Sequence, residues 1–413
     1  MPLVPRLLSL IGTVTLLAVG CSTGVDDIER VSGTTTSAVQ TSTSLPAPTT
    51  STTVAPTTTT TEPGPTAAEC VADWSLRQQV GQLVWVVAGQ NQLGQLADVG
   101  PDGFGGFVPV GVLRSDLVAR LDAVFGDRSG PFAPLFAVDE EGGRVSRLEN
   151  LIASQPSART QGTELSIAAV EEGFEAHAEA MAALGVDVDL APVLDVGGGP
   201  GIGDRSFSVD PAAVIEYGLA VVRGLERGGV RPVVKHFPGH GRADADSHLR
   251  LPTTPPLEEM RLHDLLPFAA AATADVPAMM VGHLSVPGLT HQFPTSLSPE
   301  TVTGLLRTEL GFDGVVMTDA LDMGGVPVGG PEAAELALLA GVDIAMLGSP
   351  ADLAPTLARL EEAVAEGRLD AQAVVASVVR TQDFAGRDPC AVPAASEIEV
   401  PAEPATTGPP TTR

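Results

Sequence analysis

The sequence is short of lysine and of basic residues in general. Lys235 is the only lysine among 23 lysine and arginine residues, so the other 22 are arginine. Acidic residues number 51, which gives a formal net charge of −28. A charge of this sign and size repels nucleic acid phosphates and anionic membrane surfaces. The composition therefore excludes nucleic-acid binding as a function.

The position of the single lysine is informative. Lys235 lies in VVKHFPGHGRADADSH, residues 233–248, where an apolar run ends in a glycine-containing loop with three histidines and two aspartates. An ammonium donates hydrogen bonds in three freely rotating directions, whereas a guanidinium is a planar fork. The stretch is a candidate active site. The alternative is chance, since one residue must be the last lysine left.

Long apolar runs are also scarce, and the first of them lies at the N-terminus. Residues 1–20 place one arginine before a short apolar run, which predicts a secretory signal sequence. Ala-Val-Gly-Cys at residues 18–21 resembles a bacterial lipobox. Cys21 is therefore predicted to carry a lipid as the only membrane attachment. We expect the protein to be exported and either anchored to the outer face of the cytoplasmic membrane or secreted.

The chain has only three cysteines, and composition divides it into four parts. Beyond Cys21 there are Cys70 and Cys390, which bracket the globular region and could pair in an oxidising compartment. The stretch from Val31 to Ala67 is almost entirely small, polar or proline residues, too poor in large apolar groups to fold. The predicted parts are a signal peptide (1–20), a disordered linker (21–67), one catalytic domain (68–390) and a disordered tail (391–413).

Between the two cysteines, strand-like apolar runs alternate with longer helical patterns. This alternation predicts parallel βα units. Eight such units in roughly 320 residues predict an α/β fold of the (β/α)8 TIM-barrel class, in which active sites collect at the carboxyl ends of the strands. The predicted strands are residues 83–89, 103–110, 134–142, 186–196, 230–237, 278–286, 314–321 and 342–348.

Polar residues are concentrated at the carboxyl ends of these runs. Buried strands are normally apolar throughout, so polar groups confined to one end of several strands indicate a common site. For Glu141, Asp195 and His283 the alternative is that they only satisfy hydrogen bonds among the loops. The full set is Asp139, Glu140, Glu141, Asp195, Lys235, His236, His283 and Asp319.

Four motifs carry a family resemblance. They are DEEGGRVSR (139–147), IGDRSFSVDP (202–211), KHFPGHG (235–241) with DSH (246–248), and GVVMTDALDM (314–323). Together they resemble glycoside hydrolase family 3, in its single-barrel β-N-acetylhexosaminidase branch, over about residues 70 to 386. KHFPGHG followed by DSH is specific to that branch, whereas the other motifs are shared more widely in the family.

The resemblance implies that Asp319 is the catalytic nucleophile. A carboxylate at the end of a buried strand can attack an anomeric carbon and form a glycosyl-enzyme, which gives retention of configuration. Asp322 is the rival carboxylate, and we expect it to face the loop beyond the strand end. The alternative for Asp319 is a helix N-cap.

The resemblance assigns the acid/base role to His248, supported by Asp246. Residues two apart in an extended loop point to the same side, so Asp246 can accept from one ring nitrogen and leave the other for the leaving group. An imidazole of ordinary pKa, about 6.5, can both donate and accept a proton at neutral pH. Since Gly241, Ala243 and Ala245 are small, we expect the loop to move and to deliver His248 when substrate binds.

The resemblance also implies that a charged cluster binds the hydroxyls of one terminal sugar, which makes the enzyme exo-acting. One departure from the family pattern is the glycine run at 197–199, where the family more often has an asparagine after the aspartate. This puts the local loop geometry in doubt. The implied sugar-binding residues are Asp139, Arg147, Arg205, Lys235 and His236.

Other interpretations compete with this one. His236, His240, Asp246 and His248 could form a zinc site, but an adjacent ammonium would repel the metal, so no metal and no cofactor are expected. A cell-wall-sugar-binding lipoprotein would not need Asp319, Asp246 and His248 together. We therefore expect a monomeric exo-β-N-acetylglucosaminidase acting on glycan or muropeptide substrates. A family 3 β-glucosidase and an N-acetylglucosaminide phosphorylase are the alternatives.

Overall fold

The computed structural model describes residues 64–391, except residues 98, 100–102, 112, 127–129 and 131. The predicted signal peptide, Cys21, most of the linker and the tail after residue 391 lie outside the described residues. The helices and strands therefore belong to the predicted catalytic domain.

Each of the eight predicted apolar runs contains at least one parallel strand. The strands are β1 (Val84–Gly89), β2 (Gly106–Val110), β3 (Leu135–Val138), β4 (Glu140–Gly142), β5 (Val145–Ser146), β6 (Val188–Asp189), β7 (Arg231–Pro232), β8 (Val234–Phe237), β9 (Ala278–Val281), β10 (Val315–Thr318) and β11 (Ala345–Leu347). They pair in a six-stranded sheet, in the order β11-β1-β2-β3-β6-β7, and a three-stranded sheet, in the order β10-β9-β8. Isolated parallel bridges join Val193, which follows β6, to Lys235 of β8, and Met317 of β10 to Ile344, which precedes β11.

Three of the predicted strands differ most from the observed ones. The run 230–237 divides into β7 and β8, which belong to different sheets. The run 134–142 divides into β3 and β4, and β4 turns back to pair with β5 in an antiparallel hairpin. The run 186–196 retains only the two-residue strand β6. Pro192 interrupts that run because proline has no backbone N–H to donate to a ladder.

The helices alternate with the strands as the sequence predicts. Side-chain caps begin several of them, with Ser166 ahead of the helix Ile167–Ala183 and Asp210 ahead of the helix Pro211–Arg227. A π-helix spans Glu300–Glu309. The α-helices are α1 (Ala67–Ala72), α2 (Leu76–Gln82), α3 (Gly94–Ala97), α4 (Leu117–Phe125), α5 (Ala158–Glu164), α6 (Ile167–Ala183), α7 (Pro211–Arg227), α8 (Leu257–Met260), α9 (Leu266–Thr273), α10 (Gly330–Ala340), α11 (Leu353–Ala365) and α12 (Ala371–Ala385). None of the helices in the described part of the chain is long and apolar enough to cross a membrane.

Alternate strand residues form an apolar cluster separate from the larger core. It includes Leu135 and Ala137 of β3, Val233 between β7 and β8, and Val315 and Met317 of β10. Because side chains alternate between the two faces of a strand, the next residue on the same face lies two positions further on. Two positions after Ala137, Val233 and Met317 lie Asp139, Lys235 and Asp319, respectively. The packing of the strands therefore directs all three charged side chains to one end of the fold.

The two ends of the described chain are joined. Cys70 in α1 and Cys390 in the final turn form a disulfide with a Cα–Cα distance of 5.1 Å and a sequence separation of 320 residues. These are the two cysteines other than Cys21, the predicted lipidation site, and they are paired in the structure. The disulfide therefore closes a loop that contains almost all of the described residues.

Candidate active site

A cavity of about 480 Å³ opens at the carboxyl ends of the strands. Its floor is apolar and includes Leu190, Met280 and Met346. Its walls carry most of the residues predicted to act on the sugar. The polar lining residues are Asp139, Glu141, Arg147, Arg205, Lys235, His236, His248, Asp319 and Asp322.

Lys235 lies between two carboxylates and is only 2% exposed. Its Nζ atom is 2.6 Å from Asp139 Oδ1 and 2.6 Å from Glu141 Oε1. Arg205 binds the same Glu141 through two bonds, Nε to Oε2 and Nη2 to Oε1, each 2.7 Å long. Two of the three N–H directions of the ammonium are therefore used by the protein.

All four members of this cluster carry charge. Burial alone would lower the pKa of Lys235, but the carboxylates of Asp139 and Glu141 outweigh it and raise that pKa above its ordinary value. Burial alone would raise the pKa of Glu141, but Lys235 and Arg205 hold it well below its ordinary value. Two cations balance two anions, so the cluster presents fixed hydrogen-bonding groups with no excess charge.

His236 is held from both sides of its ring. Its Nδ1 atom is 2.7 Å from Oδ2 of the fully buried Asp195, and its Nε2 atom is 3.3 Å from Arg205 Nη2. These partners fit the tautomer in which Nδ1–H donates to Asp195 and Nε2 accepts from Arg205. The other oxygen of Asp195 accepts from the backbone N–H of His240 at 2.6 Å. Asp195 thus fixes both the ring and the start of the loop that follows.

Asp319 follows β10 directly and faces the cavity. Burial alone would raise its pKa, but His236, His283, the N–H of Ala320 and Lys235 outweigh burial and lower that pKa. The Ala320 N–H donates to Asp319 Oδ1 at 2.8 Å. His283 Nε2 lies 2.9 Å from the carbonyl oxygen of Ala320, the residue whose N–H binds the carboxylate. The site contains an ionised carboxylate held in a defined orientation.

His248 and Asp246 form a pair at the cavity wall. His248 Nδ1 is 2.8 Å from Asp246 Oδ1, and the His248 backbone N–H donates to the same oxygen at 3.0 Å. The His248 side chain is 64% exposed, whereas that of Asp246 is 31% exposed. Asp246 therefore lies behind the histidine and leaves Nε2 free to face the cavity.

The loop that carries this pair is packed at several points. Ala243 and Ala245 are buried, so their small size serves close packing in this structure. The carbonyl groups of Ser247 and His248 accept from the N–H groups of Gly325 and Gly324. Movement of the loop when substrate binds stays a prediction.

The hairpin of β4 and β5 presents Arg147 to the cavity. The buried Glu140 accepts hydrogen bonds from the hydroxyl of Ser146 and from the backbone N–H groups of Arg147, at 2.7 Å, and Leu148, at 2.9 Å. The Nε atom of Arg147 is buried and has no hydrogen-bond partner among the described residues. Arg147 is thus a cation with bonding capacity left for a ligand.

All eight residues assigned by resemblance meet at this site, and the structure adds others. Asp322 was expected to face the loop, but it lines the cavity, with its carboxylate against the backbone of Gly348. Glu141, Asp195 and His283, for which loop hydrogen bonding was the alternative, each contact a site residue or its neighbour. Their position at strand ends was the signal that could have identified them.

The four residues weighed as zinc ligands have other partners. His236 pairs with Asp195, His240 Nε2 lies 3.1 Å from Ser247 Oγ, and His248 pairs with Asp246. Within the described ranges, no group of three or more histidine, cysteine, aspartate or glutamate residues is arranged to hold a metal ion.

This combination of fold and site defines a carbohydrate-active hydrolase, and sequence comparison supports that class. The model of the glycosyl hydrolase family 3 N-terminal domain matches residues 75–384. The chain belongs to glycoside hydrolase family 3, which confirms the resemblance found in its motifs.

Individual relatives are similar over most of the described chain. The beta-hexosaminidase LpqI of Mycobacterium tuberculosis is 43% identical over 274 residues, which are 63% of this chain and 70% of the relative. The solved structure of M. tuberculosis LpqI has a TM-score of 0.73 at 39% identity, covering 78% of this chain and 97% of that one. A family 3 β-N-acetylglucosaminidase from Paenibacillus sp. has a TM-score of 0.70 at 32% identity, covering 78% and 64%.

The low pKa of Glu141 predicts part of the acid sensitivity of the fold. Its folded pKa lies below the ordinary value of 4.5, so its contribution to stability is complete above pH 4.5. As the pH falls from 4.5 towards the folded pKa, the unfolded chain takes up a proton that the folded chain does not. The free energy of unfolding should then decrease by at most about 1.4 kcal/mol per pH unit through this group.

Glu141→Gln tests this prediction by removing the titrating group. Urea unfolding between pH 6 and pH 3 should give a shallower decrease for Glu141→Gln than for the wild type, whatever its stability at pH 6. Gly329→Ala, which removes no titrating group and places its Cβ atom with nothing within 4 Å, is the control and should keep the wild-type slope. Equal slopes for Glu141→Gln and the wild type would contradict the linkage.

Proposed function

We propose that the protein is a retaining exo-β-N-acetylglucosaminidase that removes terminal β-linked N-acetylglucosamine through a covalent glycosyl-aspartate intermediate. The observation that carries the proposal is that one cavity is bordered by Asp319, by His248, which is paired with Asp246, and by Lys235 with its charged partners. The names of the relatives, beta-hexosaminidase and β-N-acetylglucosaminidase, support the same activity.

The first chemical step uses Asp319 and His248 in concert. An oxygen of Asp319 bonds to the anomeric carbon while the bond from that carbon to the leaving-group oxygen breaks. Protonated His248 gives its Nε2 proton to the departing oxygen, and Asp246 keeps the other proton of the ring on Nδ1. The low pKa of Asp319 favours this step because the nucleophile must be ionised.

The second step reverses these roles with water. Neutral His248 takes a proton from the incoming water, whose oxygen attacks the anomeric carbon as the bond to Asp319 breaks. Two displacements at the same carbon retain the configuration of the sugar. Asp139, Lys235 and Arg147 bind the hydroxyls of the terminal sugar through charge-assisted hydrogen bonds, which accounts for exo-action.

The setting of this activity is part of the proposal. Residues 1–20 direct export, and a lipid on Cys21 anchors a monomer through the linker of residues 21–67. The domain of residues 68–390 is a closed (β/α)8 barrel, which the bridges between the two sheets support. Peptidoglycan fragments are then accessible substrates, and the Cys70–Cys390 disulfide supports an oxidising compartment.

Substrate comparison tests the proposed activity directly. An aryl β-N-acetylglucosaminide should be hydrolysed at least about tenfold faster, by kcat/KM, than the matching aryl β-glucoside. Added phosphate should leave the rate and the free-sugar product unchanged. A preference for the glucoside would favour a β-glucosidase. Release of a sugar 1-phosphate would favour a phosphorylase.

Asp319 should be the residue that becomes covalently linked to the sugar. A mechanism-based fluorosugar should label the wild type, and mass mapping of peptides should locate the label at Asp319. Asp319→Ala should abolish turnover while keeping the wild-type unfolding transition. The Asp322→Asn variant, which lacks the neighbouring carboxylate, should still be labelled at Asp319. A label on Asp322 would overturn the assignment of the nucleophile.

His248→Ala should affect substrates according to their leaving groups. Substrates with poor leaving groups need protonation of the departing oxygen, and general acid catalysis contributes about 10² to 10⁴ in rate. Activated aryl glycosides need it little in the first step, so their burst of aryl alcohol should persist. Pre-steady-state kinetics on both substrate types measures the difference. An equal loss for both would mean that His248 only positions the sugar.

A further inference from the structure

The glycine run that departs from the family pattern lies against the loop that carries the catalytic pair. We call residues 197–203 the glycine loop and residues 239–249 the dyad loop. The N–H of Gly199 donates to the carbonyl oxygen of Gly241 at 2.8 Å. A Cβ atom on Gly241 would lie 2.0 Å from the carbonyl oxygen of Val196, so the dyad loop is in backbone contact with the chain leading into the glycine loop.

This contact has no room for a side chain at Gly199. A Cβ atom there would lie 2.8 Å from the carbonyl oxygen of Gly241 and 3.1 Å from that of Ala243. Both are backbone atoms, which cannot rotate away as the end of a side chain can. An added methyl group would therefore push the dyad loop outward.

The contact continues to the catalytic pair at Gly201. A Cβ atom on Gly201 would lie 3.0 Å from Cγ and 3.1 Å from Oδ1 of Asp246, the oxygen that binds His248. Gly201 also has a φ of +83°, a conformation that favours glycine. The Asp246 carboxylate thus rests on the glycine backbone.

The other side of the glycine loop is tied to the sugar-binding cluster. The carbonyl oxygen of Gly201 accepts from Arg205 Nη1 at 3.2 Å and from Arg144 Nη2 at 3.0 Å. Arg205 in turn binds Glu141, which binds Lys235. A continuous series of contacts therefore runs from the Lys235 cluster through Gly201 to Asp246 and His248.

We propose that the glycine loop is a positioning element that sets His248 relative to the bound sugar. The inference rests on the proposed function, in which His248 is the acid/base. Gly199 and Gly201 act through Asp246 and the dyad loop, and they contact no reacting atom. Their substitution should impair proton transfer more than sugar binding.

Gly199→Ala and Gly201→Ala test the proposal against Gly329→Ala. Gly329 has a φ of −71°, and a Cβ atom there meets nothing within 4 Å, so it is the matched control. A misplacement of about 1 Å can cost on the order of 10²-fold in rate. In both glycine variants we expect two rates to respond differently. The kcat for a substrate with a poor leaving group should fall about 10- to 100-fold further than the burst rate for an activated aryl glycoside. Gly329→Ala should match the wild type on both.

A double-mutant cycle shows whether the effect passes through the catalytic pair. In an Asp246→Ala background, Gly201→Ala should add less than about a twofold further loss, because the carboxylate that it displaces is absent. If the rate losses of Gly201→Ala and Asp246→Ala multiply in the double variant, as they do for independent sites, Gly201 does not act through Asp246.

The outcomes separate this inference from the proposed function. If the wild type hydrolyses neither the N-acetylglucosaminide with a poor leaving group nor the activated aryl N-acetylglucosaminide, the proposed function is contradicted. An active wild type whose glycine variants fold and keep the wild-type ratio of the two rates overturns the positioning role. If one of the two glycine variants does not fold, as shown by the loss of a cooperative unfolding transition, the other variant tests the proposal. Failure of both would assign the loop to stability and overturn the proposal.

Discussion

The site depends on one buried ammonium held between two carboxylates. Lys235 has almost no exposure to water, so its charge is tolerated only because Asp139 and Glu141 each lie 2.6 Å away. Removing one partner of such a buried pair typically costs about 3 to 5 kcal/mol, because the remaining charge is left unpaired. The interaction joins β8 to the end of β3 and to β4, and Arg205 extends it to the glycine loop. Under the proposed function, sugar binding and placement of the acid/base would both depend on this cluster.

Three kinds of contact position the side chains of the site. Ion pairs fix Lys235, Glu141 and Arg205, since their directions and lengths are narrow. Backbone contacts without side chains lie beside the Asp246–His248 pair, as at Gly199 and Gly241. Asp319 accepts from the N–H of Ala320, and His283 lies 2.9 Å from the carbonyl oxygen of the same residue. Under the proposed function, the nucleophile and the acid/base are therefore each oriented by neighbouring groups of the protein.

Periodicity predicted much of the fold because it is a local property of strands. Asp139, Lys235 and Asp319 each follow the inner-face residues of their strand at a spacing of two, so their common direction could be predicted. The hairpin of β4 and β5 could not, since a run of acidic and glycine residues after β3 does not indicate where the chain turns. Asp322 was predicted to face the loop, and its place in the cavity depends on the absence of a side chain at Gly348, 26 positions away.

The sequence by itself determined the class of the protein: the alternation of strands and helices, the strand ends that carry charge, and the motifs of glycoside hydrolase family 3. Those features are local, and each can be identified within a few residues. Only the tertiary structure decided the partners: Glu141 with both Lys235 and Arg205, Asp195 with His236, and Gly201 with Asp246. All four pairs join residues 41 to 94 positions apart in the sequence. Their contacts depend on the way the strands pack side by side, which no local pattern specifies.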